Sequence, residues 1–241
     1  MKWNCTIEIP VFSRLVFGAL AVGKESYLTC CPDSMNIAIL NNANTMYGNI
    51  TIPAHIEGDA APMPFDMLKI TASMPTSGTL KLDYEDNILK MVAGRTRYRF
   101  YQFAEGAVKM PPSPDKVMKD LPNIIHDVPI KDLYDANNKI LKLSDLTGSL
   151  YKTILSIDNG ILSISDKDND IVTDIECDTA APSSHVMVST VYLESLLMYF
   201  KKYVDESLTV GMYTPESPMT IRYDGDKGNM FYLLAPIVEA D

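Results

Sequence analysis

Residues 105–122 read Glu-Gly-Ala-Val-Lys-Met-Pro-Pro-Ser-Pro-Asp-Lys-Val-Met-Lys-Asp-Leu-Pro and hold four prolines. Pro111, Pro112 and Pro114 are barred from a helix interior or a central strand, because proline has no backbone N–H and a fixed φ. The segment reads as a stiff, extended linker. It separates residues 1–104 from residues 123–241, and the two flanks repeat one pattern of elements. That repetition constrains the fold more than any other feature of the chain.

The first flank opens with a strand at Trp3 to Ile9 and a helix-period segment at Val11 to Val22. The second opens with Ile124 to Val128 and a helix from Ile130. There Ile130, Leu133, Ala136, Ile140 and Leu141 recur on one helical face, and Pro129 suits a helix start. Hairpins follow in both flanks. Tyr27 to Cys31, a Pro32-Asp-Ser turn, Met35 to Leu40 and Gly48 to Pro53 form the first set. Leu150 to Ile157, the turn Asp158-Asn-Gly160, Ile161 to Ser165 and 170–175 form the second. Asn-Gly between β-rich runs signals a hairpin because both residues accept positive φ. A helix at 65–74 then precedes Thr79 to Asp83, a Glu85-Asp-Asn turn, Ile88 to Val92 and Arg95 to Phe103. A helix near 190–204 precedes 208–212, 219–223 and 229–234, with a strand expected at 185–189 before it. Four helices for well over a dozen strands can cover only one face of the sheets. The pattern predicts an α+β fold, duplicated, with two helices packed on antiparallel sheet in each half.

The chain has 31 acidic and 21 basic residues, a formal net charge of −10, and 46% hydrophobic residues. Wholesale disorder is excluded. The apolar stretch at 15–22 is too short for a membrane span and lacks the flanks of a signal peptide. The sequence therefore predicts no membrane association and no secretion. Cys5, Cys30, Cys31 and Cys177 show no C-x-x-C spacing and read as reduced, mostly buried thiols. His55, His126 and His185 are far apart and none has ligand spacing to a cysteine, so no metal site is expected.

Catalytic motifs are missing. Gly18-Ala-Leu-Ala-Val-Gly23-Lys24-Glu25 has the spacing of a phosphate loop. It carries Glu25 where that loop needs the Mg²⁺-binding hydroxyl, and it reads as a helix end rather than as a strand-to-helix turn. The Asp166, Asp168, Asp170, Asp174 run lacks the glycine and terminal glutamate of a calcium loop. Arg95, Arg97 and Arg99 alternate and so share one face of a strand, either as a partner surface or as a charged edge.

The acidic total divides unevenly. The helical segments 11–24, 65–74, 130–142 and 190–203 hold Arg14, Lys24, Lys69, Lys131, Lys139, Lys142, Lys201 and Lys202. Against these stand only Asp66, Asp132, Asp135 and Glu194. The helices form a basic surface on an acidic protein, suited to sequence-independent phosphate contacts.

Four stretches, in order, resemble the sliding clamps of the proliferating cell nuclear antigen (PCNA) type, the DNA polymerase processivity factors of archaea and eukaryotes. Phe231-Tyr-Leu-Leu-Ala-Pro-Ile-Val-Glu-Ala-Asp241 resembles the family's closing strand and tail. Asp33 to Leu40 resembles an early hairpin, Thr79 to Val92 a later one, and 105–122 the interdomain connecting loop. The resemblance covers essentially the whole chain.

It implies a ring, most often a homotrimer, of subunits with clamp domains at 1–104 and 123–241. The helices would line a channel around duplex DNA. Such a protein has no catalytic residues and no cofactor. It tethers polymerase, ligase and nucleases through PCNA-interacting motifs, is opened by a clamp-loader ATPase, and works in the nucleoid of an archaeon or a eukaryotic nucleus. The partner-motif pocket would comprise Leu40, Thr45, Leu121, Pro122, Pro218, Leu233, Ala235 and Pro236. The subunit contact would pair the strand at 95–103 with that at 170–177, setting Arg95, Arg97 and Arg99 against Asp170, Asp174 and Glu176. Asn41 stands where the family usually has aspartate, and Leu233 where an aromatic residue often lines the pocket. The channel is also less basic than in many members. Two other readings remain: a heteromeric or non-loading scaffold, including a virus-encoded one, and an enzyme using 18–25 on a nucleotide.

Overall fold

The computed structural model describes residues 2–58, 62–104, 106–117, 124–148, 151–168, 170–177, 183–212 and 214–238. It falls into two compact units. One comprises residues 1–43, 47–114 and 224–230, the other residues 44–46, 115–223 and 231–241.

In the first unit, β1 (Lys2–Glu8) leads into α1 (Ile9–Leu20). Then come β2 (Glu25–Cys31), β3 (Ser34–Leu40), β4 (Met46–Pro53), β5 (Ile56–Gly58) and β6 (Met63–Asp66). The unit continues with α2 (Met67–Ala72), β7 (Thr79–Glu85), β8 (Ile88–Ala93) and β9 (Thr96–Tyr101). One antiparallel sheet runs β5-β1-β7-β8-β9, and β6-β2-β3-β4 are neighbours in another. Along β1, Trp3, Cys5 and Ile7 point inward and alternate with exposed residues, as the pleat requires. Trp3 stacks on Tyr84 at 5.9 Å, and Phe65 meets Tyr84 edge-on at 6.3 Å. Helix α1 carries Pro10 in its first turn and buries Ile9, Phe12, Leu15, Val16 and Ala19, the 3–4 spacing of an amphipathic helix.

A four-residue helix, α3 (Pro114–Val117), falls where the chain passes from the first unit to the second. There β10 (Ile124–Pro129) enters α4 (Ile130–Thr147), followed by β11 (Lys152–Asp158), β12 (Ile161–Asp166), β13 (Val172–Glu176) and β14 (Ser184–Ser189). Helix α5 (Thr190–Tyr203) and β15 (Ser207–Gly211), β16 (Met219–Gly225) and β17 (Gly228–Leu234) complete it. One sheet runs β13-β12-β11-β14, and β10-β15-β16-β17 are neighbours in another. Helix α4 buries Ile130, Leu133, Ala136 and Ile140 and stops at Gly148, whose φ of 67° lets its N–H reach the Ser144 carbonyl at 2.9 Å. Tyr199, Phe200 and Tyr232 form an aromatic cluster between α5 and β17.

The fold is α+β, with two principal helices in each half on antiparallel sheet. The hairpin turns fall where the sequence places them. Asp86 and Asn87, and likewise Asn159 and Gly160, have positive φ, the primed geometry that matches strand twist. Five expectations are corrected. Residues 65–66 close β6, which pairs with β2 (Leu28 opposite Met63), so α2 is shorter than 65–74. Helix α1 ends before Lys24, and α4 runs on beyond residue 142. The proline segment is not extended throughout: Val108 is buried, its carbonyl accepts from the Tyr27 hydroxyl at 2.8 Å, and 114–117 turn helical. Of the cysteines only Cys5 and Cys30 are buried. No helix among the described residues is long and apolar enough to cross a membrane.

Candidate nucleic-acid and partner interface

The helical cations fare differently in the two units. On α1, Arg14 is half-buried and its guanidinium donates to the Lys227 carbonyl at 3.1 Å. On α2, Lys69 Nζ lies 3.5 Å from the Asp66 carboxylate, which also caps the helix by accepting from the Lys69 N–H at 3.2 Å. Lys24 is not helical: it follows the turn in which the Gly23 N–H reaches back to the Ala19 carbonyl at 3.0 Å. The chain thus runs helix, turn, strand through 18–25, the reverse of a phosphate loop.

In the second unit Lys131, Lys139 and Lys142 are all exposed on α4. Lys201, in the last turn of α5, sits 3.8 Å from the Asp135 carboxylate and 3.8 Å above the Tyr134 ring, and Lys202 lies over Tyr203. With the observed boundaries, α1, α2, α4 and α5 carry seven bases (Arg14, Lys69, Lys131, Lys139, Lys142, Lys201, Lys202). Their acids are Asp132, Asp135, Asp145 and Glu194. The helical surface stays positive on a chain of net charge −10.

Of the residues expected to form a partner pocket, Leu40, Thr45, Leu233, Ala235 and Pro236 are half-buried. Along β17, Leu233 is half-buried between buried Tyr232 and Leu234, and Ala235 and Pro236 follow, also half-buried. The Ala235 N–H donates to the Thr45 carbonyl at 2.8 Å, which joins two of these residues across the sequence. The Ile237 N–H in turn donates to Met187 at 2.7 Å, fixing the tail. Pro218 is exposed. Leu40 lines a cleft of about 300 Å³ with Val22, Gly23, Lys24, Glu25, Asn41 and Asn42. Leu121 and Pro122 lie outside the described residues.

Arg97 and Arg99 share the exposed face of β9 with Tyr101, while Tyr98 and Phe100 turn inward, as alternation demands. Arg95 belongs to the preceding turn, not the strand. Asp174 and Glu176 share the exposed face of β13 with Val172, and Asp170 precedes the strand. The Asp174 carboxylate accepts from the Ser163 hydroxyl at 2.6 Å. β9 and β13 each end a sheet. A hollow of about 120 Å³ brings Lys69 and Asp66 together with Arg99, Tyr101 and Phe103, so Lys69 neighbours the β9 edge.

A buried polar network that no expectation covered joins α4 and α5. Asn137 Nδ2 donates to the Glu194 carboxylate at 3.0 Å and to the Thr190 carbonyl at 3.2 Å. The Thr153 hydroxyl donates to Asn137 Oδ1 at 2.8 Å. The signal available was a polar residue at a core position of the helical repeat. Several large apolar side chains are exposed on the helices: Leu68, Leu146, Val191 and Met198. Among the described residues no group of three or more His, Cys, Asp and Glu is placed to hold a metal ion.

This duplicated arrangement is the DNA-clamp fold. Solved structures similar to the chain carry it to a particular type. A. fulgidus PCNA, solved with the C-terminal region of FEN-1 bound, superimposes with a TM-score of 0.79 at 18% identity, covering 99% of this chain and 100% of that one. A structure of the PCNA2-PCNA3 complex from Sulfolobus tokodaii matches with a TM-score of 0.73 at 13% identity, covering 98% and 99%. The DNA polymerase sliding clamp of Bacillus subtilis gives 0.81 at 11% identity over 98% of this chain and 64% of its own. The chain therefore has the PCNA-type sliding-clamp fold. No known family profile and no curated protein sequence matches it.

Proposed function

We propose that the chain is a DNA sliding clamp, not an enzyme. It assembles with copies of itself into a closed homotrimeric ring and tethers polymerase, ligase and nucleases to duplex DNA after loading by an ATPase. The observation that carries this reading is a positive helical surface on a strongly acidic chain that has the PCNA-type fold from end to end. Sequence-independent contact with phosphate needs no more than that. The oppositely charged ends of the two sheets, β9 and β13, support head-to-tail association, which closes into a ring when the rotation allows. The half-buried apolar residues Leu40, Leu233, Ala235 and Pro236 support capture of a short partner motif with apolar anchors.

The test is topological. Protein loaded by a matched clamp loader onto closed circular DNA stays bound through a high-salt wash and is lost when the circle is cut. Protein that leaves the intact circle as fast as the cut one sinks the proposal. A second reading, a heteromeric or non-loading scaffold that binds replication proteins, is favoured by the few cations on the first-unit helices. It predicts association with partner proteins without retention on circles.

A further inference from the structure

An edge strand leaves half of its backbone hydrogen bonds unmade, and the bonds it does make show which residues own the rest. On β9 the Gln102 N–H donates to the Asn87 carbonyl at 2.9 Å. Even-numbered residues therefore bond towards β8, and Arg97, Arg99 and Tyr101 turn their backbone N–H and C=O groups outward. On β13 the Cys177 N–H donates to the Gly160 carbonyl at 2.9 Å, and the Asp166 N–H donates to the Ile171 carbonyl at 3.3 Å. Odd-numbered residues there bond towards β12, and Val172, Asp174 and Glu176 turn outward. Among the described residues no strand lies beyond either edge. These outward residues also carry the exposed side chains of their strands.

One antiparallel approach satisfies all of them: Arg97 opposite Glu176, Arg99 opposite Asp174 and Tyr101 opposite Val172. Each is then a hydrogen-bonded pair that exchanges both backbone bonds. Opposite charges face each other twice, and Tyr101 and Val172, 71% and 53% exposed, cover one another. The Asp174 carboxylate also accepts from the Ser163 hydroxyl at 2.6 Å, which fixes it without neutralising it. A slip of one residue sets outward groups against groups already bonded within a sheet. A slip of two keeps one ion pair and puts Arg99 against Val172 or Tyr101 against Asp174. A parallel approach can keep both ion pairs, but it leaves Tyr101 and Val172 at opposite ends, uncovered.

We propose that the two open edges of this chain complement each other in this one register, so that the partner at both edges is a second copy of the chain rather than a different subunit. This rests on the reading of the chain as a ring-forming clamp. The fold alone leaves the choice open, because one of the similar structures pairs two different chains.

The register sets Thr96 opposite Cys177 of the next copy as a non-hydrogen-bonded pair, with Cα atoms about 4.5 Å apart, a span that a disulfide accepts. Thr96 is exposed, and Cys177 is a half-exposed free thiol. The variant T96C, purified alone and mildly oxidised, should give covalent oligomers on non-reducing gels, several-fold in excess of the wild type, and T96C/C177S should lose them. Cross-links that persist in T96C/C177S, or a T96C oligomer in sedimentation that does not cross-link, overturn the register and leave the clamp reading intact. A purified wild-type chain that stays monomeric at micromolar concentration overturns self-pairing and the homotrimer together. Thr96 lies at the surface, so circular dichroism verifies that the variants fold.

Discussion

Asn137 occupies a position of α4 that its helical repeat assigns to the core, between Leu133 and Ile140, and it is fully buried. Its side chain joins Thr153, Thr190 and the buried carboxylate of Glu194. Removing one member of a buried network leaves the others unsatisfied, which costs more than the bond itself gained. We expect Asn137→Ala to lower unfolding free energy by about 1–3 kcal/mol, measured by urea denaturation of the whole chain. A second residue-scale expectation concerns alkaline pH. Burial pushes the Tyr47 hydroxyl up to about 12, and buried Tyr232 and Cys30 shift the same way. The unfolded chain loses these protons first, so it binds fewer protons in that window and stability falls as pH rises. For Tyr47 the contribution is intact below the ordinary tyrosine value of about 10 and is lost towards 12. The melting temperature should therefore drop through this range, and Tyr47→Phe should make the drop shallower. An equally steep drop in the variant would rule Tyr47 out as a contributor.

At the scale of elements, local chemistry made some features legible and distance along the chain hid others. The turns at Asp86-Asn87 and Asn159-Gly160 were readable because positive φ is a property of the turn residues themselves. The α4 and α5 faces were readable because their apolar spacing is internal to each helix. The start of α2 was not, because residues 63–66 become a strand only by pairing with β2, far back in the chain. Likewise the proline segment gave no sign that Tyr27 would hold Val108. The candidate surfaces divide in the same way. That Lys131, Lys139 and Lys142 share α4 follows from its period, whereas the engagement of Arg14 by Lys227 depends on a contact between distant segments. Helix α2 has only six residues and is too short to hold itself. Its N-cap, Asp66, should therefore matter. Asp66→Ala is expected to cost about 1 kcal/mol, visible as a lower denaturation midpoint, and Asp66→Ser should recover most of it. Equal stability of all three proteins would show that packing alone fixes α2.

For the whole molecule, the arrangement of charge matters more than its total. If β9 and β13 meet between copies, reversing one edge with R97E/R99E should leave a monomer in sedimentation, since like charges then face each other. Adding D174K/E176K to the same chain should restore the assembly, a rescue that no defect in folding would give. Failure of the fourfold variant to assemble, with its fold intact, would remove the charge match from the interface. Another consequence concerns the order in which the chain is made. The first unit includes residues 224–230: Lys227 receives the Arg14 hydrogen bond, and Gly228, at φ 116°, lies so near the Thr51 carbonyl that a Cβ there would sit 2.4 Å from it. A ribosome delivers those residues more than a hundred positions after the rest of that unit. The nascent first half therefore lacks these seven residues until the second half has emerged. The first unit is thus completed late in synthesis, by a stretch that follows nearly all of the second.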